Sequence, residues 1–232
     1  MVNKKLKSVK MGIILGSRFY FILFGLFFYG CSGSDATILS YINPSLNSSS
    51  ITCVSVFPLR NTFNEQNSSL VTGDMIQLNK TFQVEFANKN SKTKILDPIS
   101  STELLSKFNL VNSYDTLLSD YNNTSIPNAQ ILNKIGQDLK IDAIIQGFVL
   151  EVFQVDGYLG SFNVHGKRSN QGETKVTIKY VMFSTRSGDV LWEATGTGYK
   201  SVSSLLKAPP ISDMIELIKE KLISAMPTLS IK

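Results

Sequence analysis

The apolar positions of this chain change period several times, and each change predicts an element. Ile51-Thr-Cys-Val-Ser-Val-Phe57 is apolar at both alternating sets of positions, the pattern of a strand covered on two faces, and Pro58 with Asn61-Thr62 ends it. Val71, Met75, Leu78, Phe82 and Phe86 then recur at helical spacing and line one face. Thr93-Lys-Ile-Leu-Asp97 predicts a short strand closed by Pro98. Ser100-Ser-Thr-Glu103 has the spacing of a capping box that opens a helix through Leu104 and Leu105. A further short helical piece is expected around Tyr114 to Leu118.

After Ile126-Pro127-Asn128, the residues Ala129, Leu132, Ile135 and Leu139 make a clear amphipathic helix that runs almost without a loop into the apolar strand Ile141 to Phe153. Thr174 to Phe183 alternates: Val176, Ile178, Tyr180 and Met182 point one way, Lys175, Thr177 and Lys179 the other, so one face should be buried and one wet. Thr185-Arg-Ser-Gly188 reads as a hairpin turn into a strand on which Val190, Trp192 and Ala194 share a face and which ends at Gly196-Thr-Gly198. A last helix follows Pro209-Pro210, with Ser212 as its cap and Ile215, Ile218, Leu222 and Ala225 at helical spacing, and stops at Pro227. Strands interleaved with helices in this order predict an α/β (α+β) fold, a mixed β-sheet with helices packed on it.

The first thirty residues do not belong to that pattern. Lys4, Lys5, Lys7, Lys10 and Arg18 precede an uncharged, mostly apolar run from Phe19 to Tyr29, and small residues follow at Gly30-Cys31-Ser32, the three regions of a secretory signal. A membrane-spanning helix would need about 20 apolar residues, more than this run supplies. Residues 32–50, rich in Ser, Asn and Gly with Pro44, suit a flexible linker. The expected organisation is therefore a signal over 1–30, a linker over 31–50, one domain over 51–226 and a tail over 227–232.

Removing the signal changes the electrostatic picture. Five of the 23 basic residues lie before residue 31, where no acid occurs, so the rest of the chain balances its 18 acidic residues and has no electrostatic reason to bind nucleic acid. One His and two Cys fall short of a four-ligand zinc site, and no cofactor-binding motif is present. Gly196-Thr-Gly198 lacks the third glycine of a dinucleotide loop. His165 has no nucleophile elbow near it, which leaves hydrolase chemistry unsupported. Asp138 and Asp142 read as solvated surface acids. Cys53, in an apolar run, reads as a buried free thiol; as a nucleophile it would lack a base.

One loop carries interface-type residues. Between Val155 and Glu173 the chain holds Tyr158 and Phe162 as aromatic anchors and His165, Lys167 and Arg168 as a basic cluster, the composition favoured where proteins meet; the plainer alternative is a hairpin tip.

Cys31 directly after Gly30 resembles the lipobox of bacterial lipoproteins, with Phe28 and Tyr29 departing from the commonest pattern as in the relaxed boxes of spirochaetes. That resemblance implies cleavage before Cys31 and acylation of its thiol and new amine. Several acyl chains hold a protein on a membrane where one does so only marginally. The absence of Asp after Cys31 implies the outer membrane by analogy with enteric sorting. Three further stretches, Val54-Ser-Val-Phe-Pro58 with Asn61-Thr62, Ile135 to Gly147, and Ser187-Gly-Asp-Val-Leu-Trp192, resemble a group of envelope domains. The group holds the curli-secretion lipoprotein CsgG, the penicillin-binding-protein activator LpoB and the amino-terminal domain of TolB. It implies a non-enzymatic periplasmic adaptor for another envelope protein, with oligomerisation possible. The alternative is a subunit of a CsgG-like secretion channel whose hairpin would use Tyr158, Gly160, Phe162 and Val164.

Overall fold

The computed structural model describes residues 33–48, 51–62, 72–157, 171–202 and 207–229. Within them seven strands form one mixed sheet: β1 (Gly33–Ile42), β2 (Cys53–Val56), β3 (Arg60–Asn61), β4 (Lys94–Leu96), β5 (Ala143–Val155), β6 (Gly172–Ser184) and β7 (Val190–Val202). The spatial order is β1-β7-β6-β5-β2-β4, with β3 also beside β5. The β1, β7, β6 and β5 ribbon is antiparallel, whereas β2 and β4 continue it in parallel. The described residues hold five α-helices: α1 (Thr72–Lys89), α2 (Pro98–Lys107), α3 (Val111–Thr124), α4 (Ala129–Leu139) and α5 (Ile211–Ser224).

Alternation along β5 to β7 feeds two cores, one on each face. On the first, Val176, Ile178, Tyr180, Met182 and Trp192 meet Leu78, Phe82 and Phe86 of α1 and Met214, Ile218 and Leu222 of α5. Phe82 stacks on Tyr180 with ring centroids 3.9 Å apart. On the second face Ile144, Phe148, Val181 and Phe183 meet Leu105 of α2, Tyr114, Leu117 and Tyr121 of α3, and Leu132 and Ile135 of α4. Each such side chain contributes about 1.5–3 kcal/mol through burial, so both layers are held mainly by area removed from water.

Local chemistry sets the helix ends. The Asp97 carboxylate accepts from the N–H groups of Ile99 and Ser100 at 2.9 and 3.0 Å, so α2 starts at Pro98; the expected box at Ser100–Glu103 lies inside the helix. Asn128 caps α4 in the same way, and Lys140 leaves it in the left-handed region at φ 55°. The Tyr114 to Leu118 piece is a full fourteen-residue helix. Ser212 sits within the first turn of α5, whose N-cap position is Pro210.

Two boundaries differ from expectation. Residues 33–42, expected in the linker, are the edge strand β1, paired with β7 over ten residues from Gly33 opposite Ser201 to Ile42 opposite Trp192, and a 3-10 turn over Pro44–Ser48 follows. Only Ala36 of β1 is buried, so its sequence carries no strong apolar stripe; backbone pairing holds it. The expected tail is likewise part of the domain as far as residue 229. Leu229 is buried, and its N–H donates to the Asn90 side-chain oxygen at 2.7 Å.

Gly196-Thr-Gly198 lies inside β7 and does not end it. A side chain on Gly198 would come within 2.8 Å of the Met214 carbonyl, so these glycines let α5 approach the sheet. Val190 does not share a face with Trp192, because the register shifts between Met182 and Phe183; Val190 joins the second core, Trp192 and Ala194 the first.

Candidate interaction surface

Helices α1 and α5 cover the first face of the antiparallel ribbon. On the second face, α2, α3 and α4 cover only the half that contains Ile144, Phe148, Val181 and Phe183. The other half carries no helical layer among the described residues. The register lays it out in cross-strand rows: Phe153, Lys175, Tyr199 and Asp35; then Glu151, Thr177, Thr197 and Thr37; then Lys179, Thr195 and Leu39. Leu39 is 77% exposed, Tyr41 53%, Phe153 43% and Tyr199 36%.

Both lysines among them are already paired. Lys175 meets Glu151 at 2.6 Å, and Lys179 meets Glu193 at 2.9 Å. The Tyr121 hydroxyl donates to the same Glu193 carboxylate at 2.8 Å, and the Lys179 ammonium lies 4.9 Å from the Tyr121 ring centroid. Burial, and next to it the hydrogen bond to Glu193, raise the Tyr121 hydroxyl far above its ordinary range, so it stays a donor at every physiological pH. The hydroxyls of Thr177 and Thr197 are 3.2 Å apart. What results is a surface with exposed aliphatic and aromatic side chains whose two lysines are neutralised by Glu151 and Glu193, with Asp35 at its outer strand, bordered on one side by the helical layer. Such a surface suits association with another macromolecule.

A second polar cluster lies at the opposite end of β5. Asp142 accepts from the Thr52 N–H and hydroxyl, both at 2.7 Å, from the Cys53 N–H at 3.1 Å, and from Arg186 at 2.5 Å. Burial alone would push this carboxyl up, but the hydrogen bonds from Thr52, Cys53 and Arg186 outweigh it and hold it below the ordinary carboxylate range. It is therefore not the freely solvated acid expected from sequence: it locks the start of β2 to the start of β5. Cys53 beside it is half-buried, and burial pushes its thiol up, which keeps it protonated.

The sequence-level site residues Tyr158, Phe162, His165, Lys167 and Arg168 lie outside the described residues, as does Cys31. Their flanks are placed: Gly157 and Gln171 lie at the end of the sheet where Gly33 begins β1 and Val202 ends β7. The residues of the uncovered half were not singled out from sequence. The alternation of Lys175, Thr177 and Lys179 signalled a wet face, but nothing local showed that Phe153, Tyr199 and Leu39 would share it. Among the described residues no group of three or more His, Cys, Asp or Glu is placed to hold a metal ion, and no helix is long and apolar enough to cross a membrane.

No family model matches the chain, and no curated protein matches it. Solved structures do. The PelC dodecamer from Paraburkholderia phytofirmans is 15% identical, with 82% of this chain and 96% of that one covered at a TM-score of 0.43. Hypothetical protein CT253 from Chlamydia trachomatis is 10% identical over 75% and 95%, at 0.46. Lipoprotein GNA1162 from Neisseria meningitidis is 13% identical over 75% and 96%, at 0.38. The chain is thus similar in outline, at low identity, to solved structures that include a bacterial lipoprotein.

Proposed function

We propose that this protein is a lipid-anchored module of the bacterial cell envelope, tethered through Cys31, that binds another envelope protein with the uncovered half of its sheet and catalyses no reaction. The observation that carries the binding role is the exposure of Leu39, Tyr41, Phe153 and Tyr199 on one face whose lysines are neutralised by Glu151 and Glu193. Exposed apolar side chains on a strand surface gain free energy when a partner covers them, and internally paired charges spare that partner the cost of supplying counter-charges. The anchor rests on Gly30-Cys31-Ser32 after a signal-like segment. The outer membrane is the proposed location.

A photo-crosslinking residue at Thr197 tests the binding role in cells. The expected outcome is one discrete adduct that disappears when Leu39→Asp and Phe153→Lys are combined in a protein that still folds. Absence of any adduct from Thr197 and from Thr37, in protein shown by mass to be acylated, would overturn it.

A further inference from the structure

The anchor and the first strand are separated by a single residue. Gly33 is already in register opposite Ser201, and two peptide units from Cys31 to Gly33 reach at most about 7 Å. The slack expected of a linker over 31–50 therefore does not exist. Resting on the lipid-anchor reading above, we infer that the end of the sheet where β1 begins lies against the bilayer headgroups and that the strands stand away from the membrane.

The register says which residues make up that end. Gly33 pairs with Ser201, Gly172 with Val202 and Val155 with Glu173, so the first residues of β1 and β6 and the last of β7 and β5 lie together. The chain beyond closes the same end. Ala208 donates its N–H to Asp156 at 2.7 Å, and the Pro209 carbonyl accepts from the Thr174 hydroxyl at 2.6 Å and from Gln154 at 2.8 Å. The Lys207 carbonyl occupies the place where a Cβ on Gly172 would go. This end is a braced rim, and the tether enters at one of its corners.

Two features oppose lying flat. The uncovered face holds the Lys175–Glu151 and Lys179–Glu193 pairs, and pressing four charges into lipid costs more than Leu39, Phe153 and Tyr199 return. The same face is recessed beneath α2 to α4, and a helix stands about 10 Å across, so a planar bilayer meets the helices before it meets the recess. Lying on the β1 edge would turn toward lipid the backbone groups that no other described strand pairs. The partner-binding recess is consequently the half of the sheet nearest the membrane, open sideways and roofed by α2 to α4.

The test uses full-length protein in phosphatidylethanolamine and phosphatidylglycerol vesicles that carry a headgroup acceptor dye. A donor is attached through a non-natural amino acid at Lys207, on the rim away from the tether, or at Ser187, in the turn between β6 and β7. The two sites are about 40 Å apart along the strands, so the expected transfer rate is at least about threefold greater from Lys207. Ten Gly/Ser residues inserted between Ser32 and Gly33 should abolish that difference without removing the protein from vesicles. Equal transfer from both sites in acylated, uninserted protein would overturn the orientation and leave the anchor standing. An unacylated chain by mass spectrometry would overturn the anchor and the orientation together.

Discussion

At the scale of single residues, Asp142 shows how much one partly buried carboxylate can hold. Its oxygens satisfy two backbone N–H groups and a hydroxyl from a segment ninety positions away in sequence. Replacing Asp142 with Ala should lower stability by about 2–4 kcal/mol, since the N–H groups of Thr52 and Cys53 lose their acceptor, as a urea midpoint will report. Because the folded state holds the carboxyl below its unfolded value, the native protein binds that proton less well than the unfolded chain does. The contribution is therefore complete above about pH 4, the range of an unperturbed Asp, and is lost as pH falls. Asp142→Asn should flatten the stability profile below about pH 4, and an unchanged profile would show the carboxylate to be uninvolved. Sequence could not reveal this role, because the spacing from Asp138 is local and the partners Thr52 and Arg186 are not.

Among elements, the long periodic ones were legible and the edge was not. Helix α4 and strands β5 and β6 emerged where Leu132, Ile135, Val176 and Ile178 placed them, since each directs a whole stripe of side chains into a core. Strand β1 directs only Ala36 and, in part, Ile38 inward, so the Ser, Asn and Gly of residues 32–50 resembled a linker. The glycines of β7 looked like a terminus for a related reason: their purpose lies in α5, across a gap that a one-dimensional pattern does not record. That purpose is open to test. Gly198→Val should cost about 1–3 kcal/mol by pushing α5 from the sheet, while Gly33→Ala, with open space around the added methyl, should leave the urea midpoint within error. Equal effects of the two would refute close approach as the reason for Gly198.

For the whole molecule, the central strands serve two cores at once. Val176 and Val181 belong to one strand yet look toward opposite helical layers, so neither layer can dissolve without exposing the other's floor. Leu132→Ala on the second face should cost about 2–5 kcal/mol. It should move the unfolding midpoint seen by fluorescence of Trp192, on the first face, as far as the midpoint seen by far-UV circular dichroism; separated midpoints would mean that the layers unfold independently. The fold class was readable because it depends on such stripes, whereas the recess was not, because it depends on where three helices stop short. The pairing of β1 with β7 also imposes an order in time. The ribosome makes β1 before every other described strand, but its partners on β7 arrive about 150 to 170 residues later, so ten residues of backbone wait that long for their pairing. A chain that cannot complete its sheet early remains threadable, which suits the export that the proposed signal segment implies.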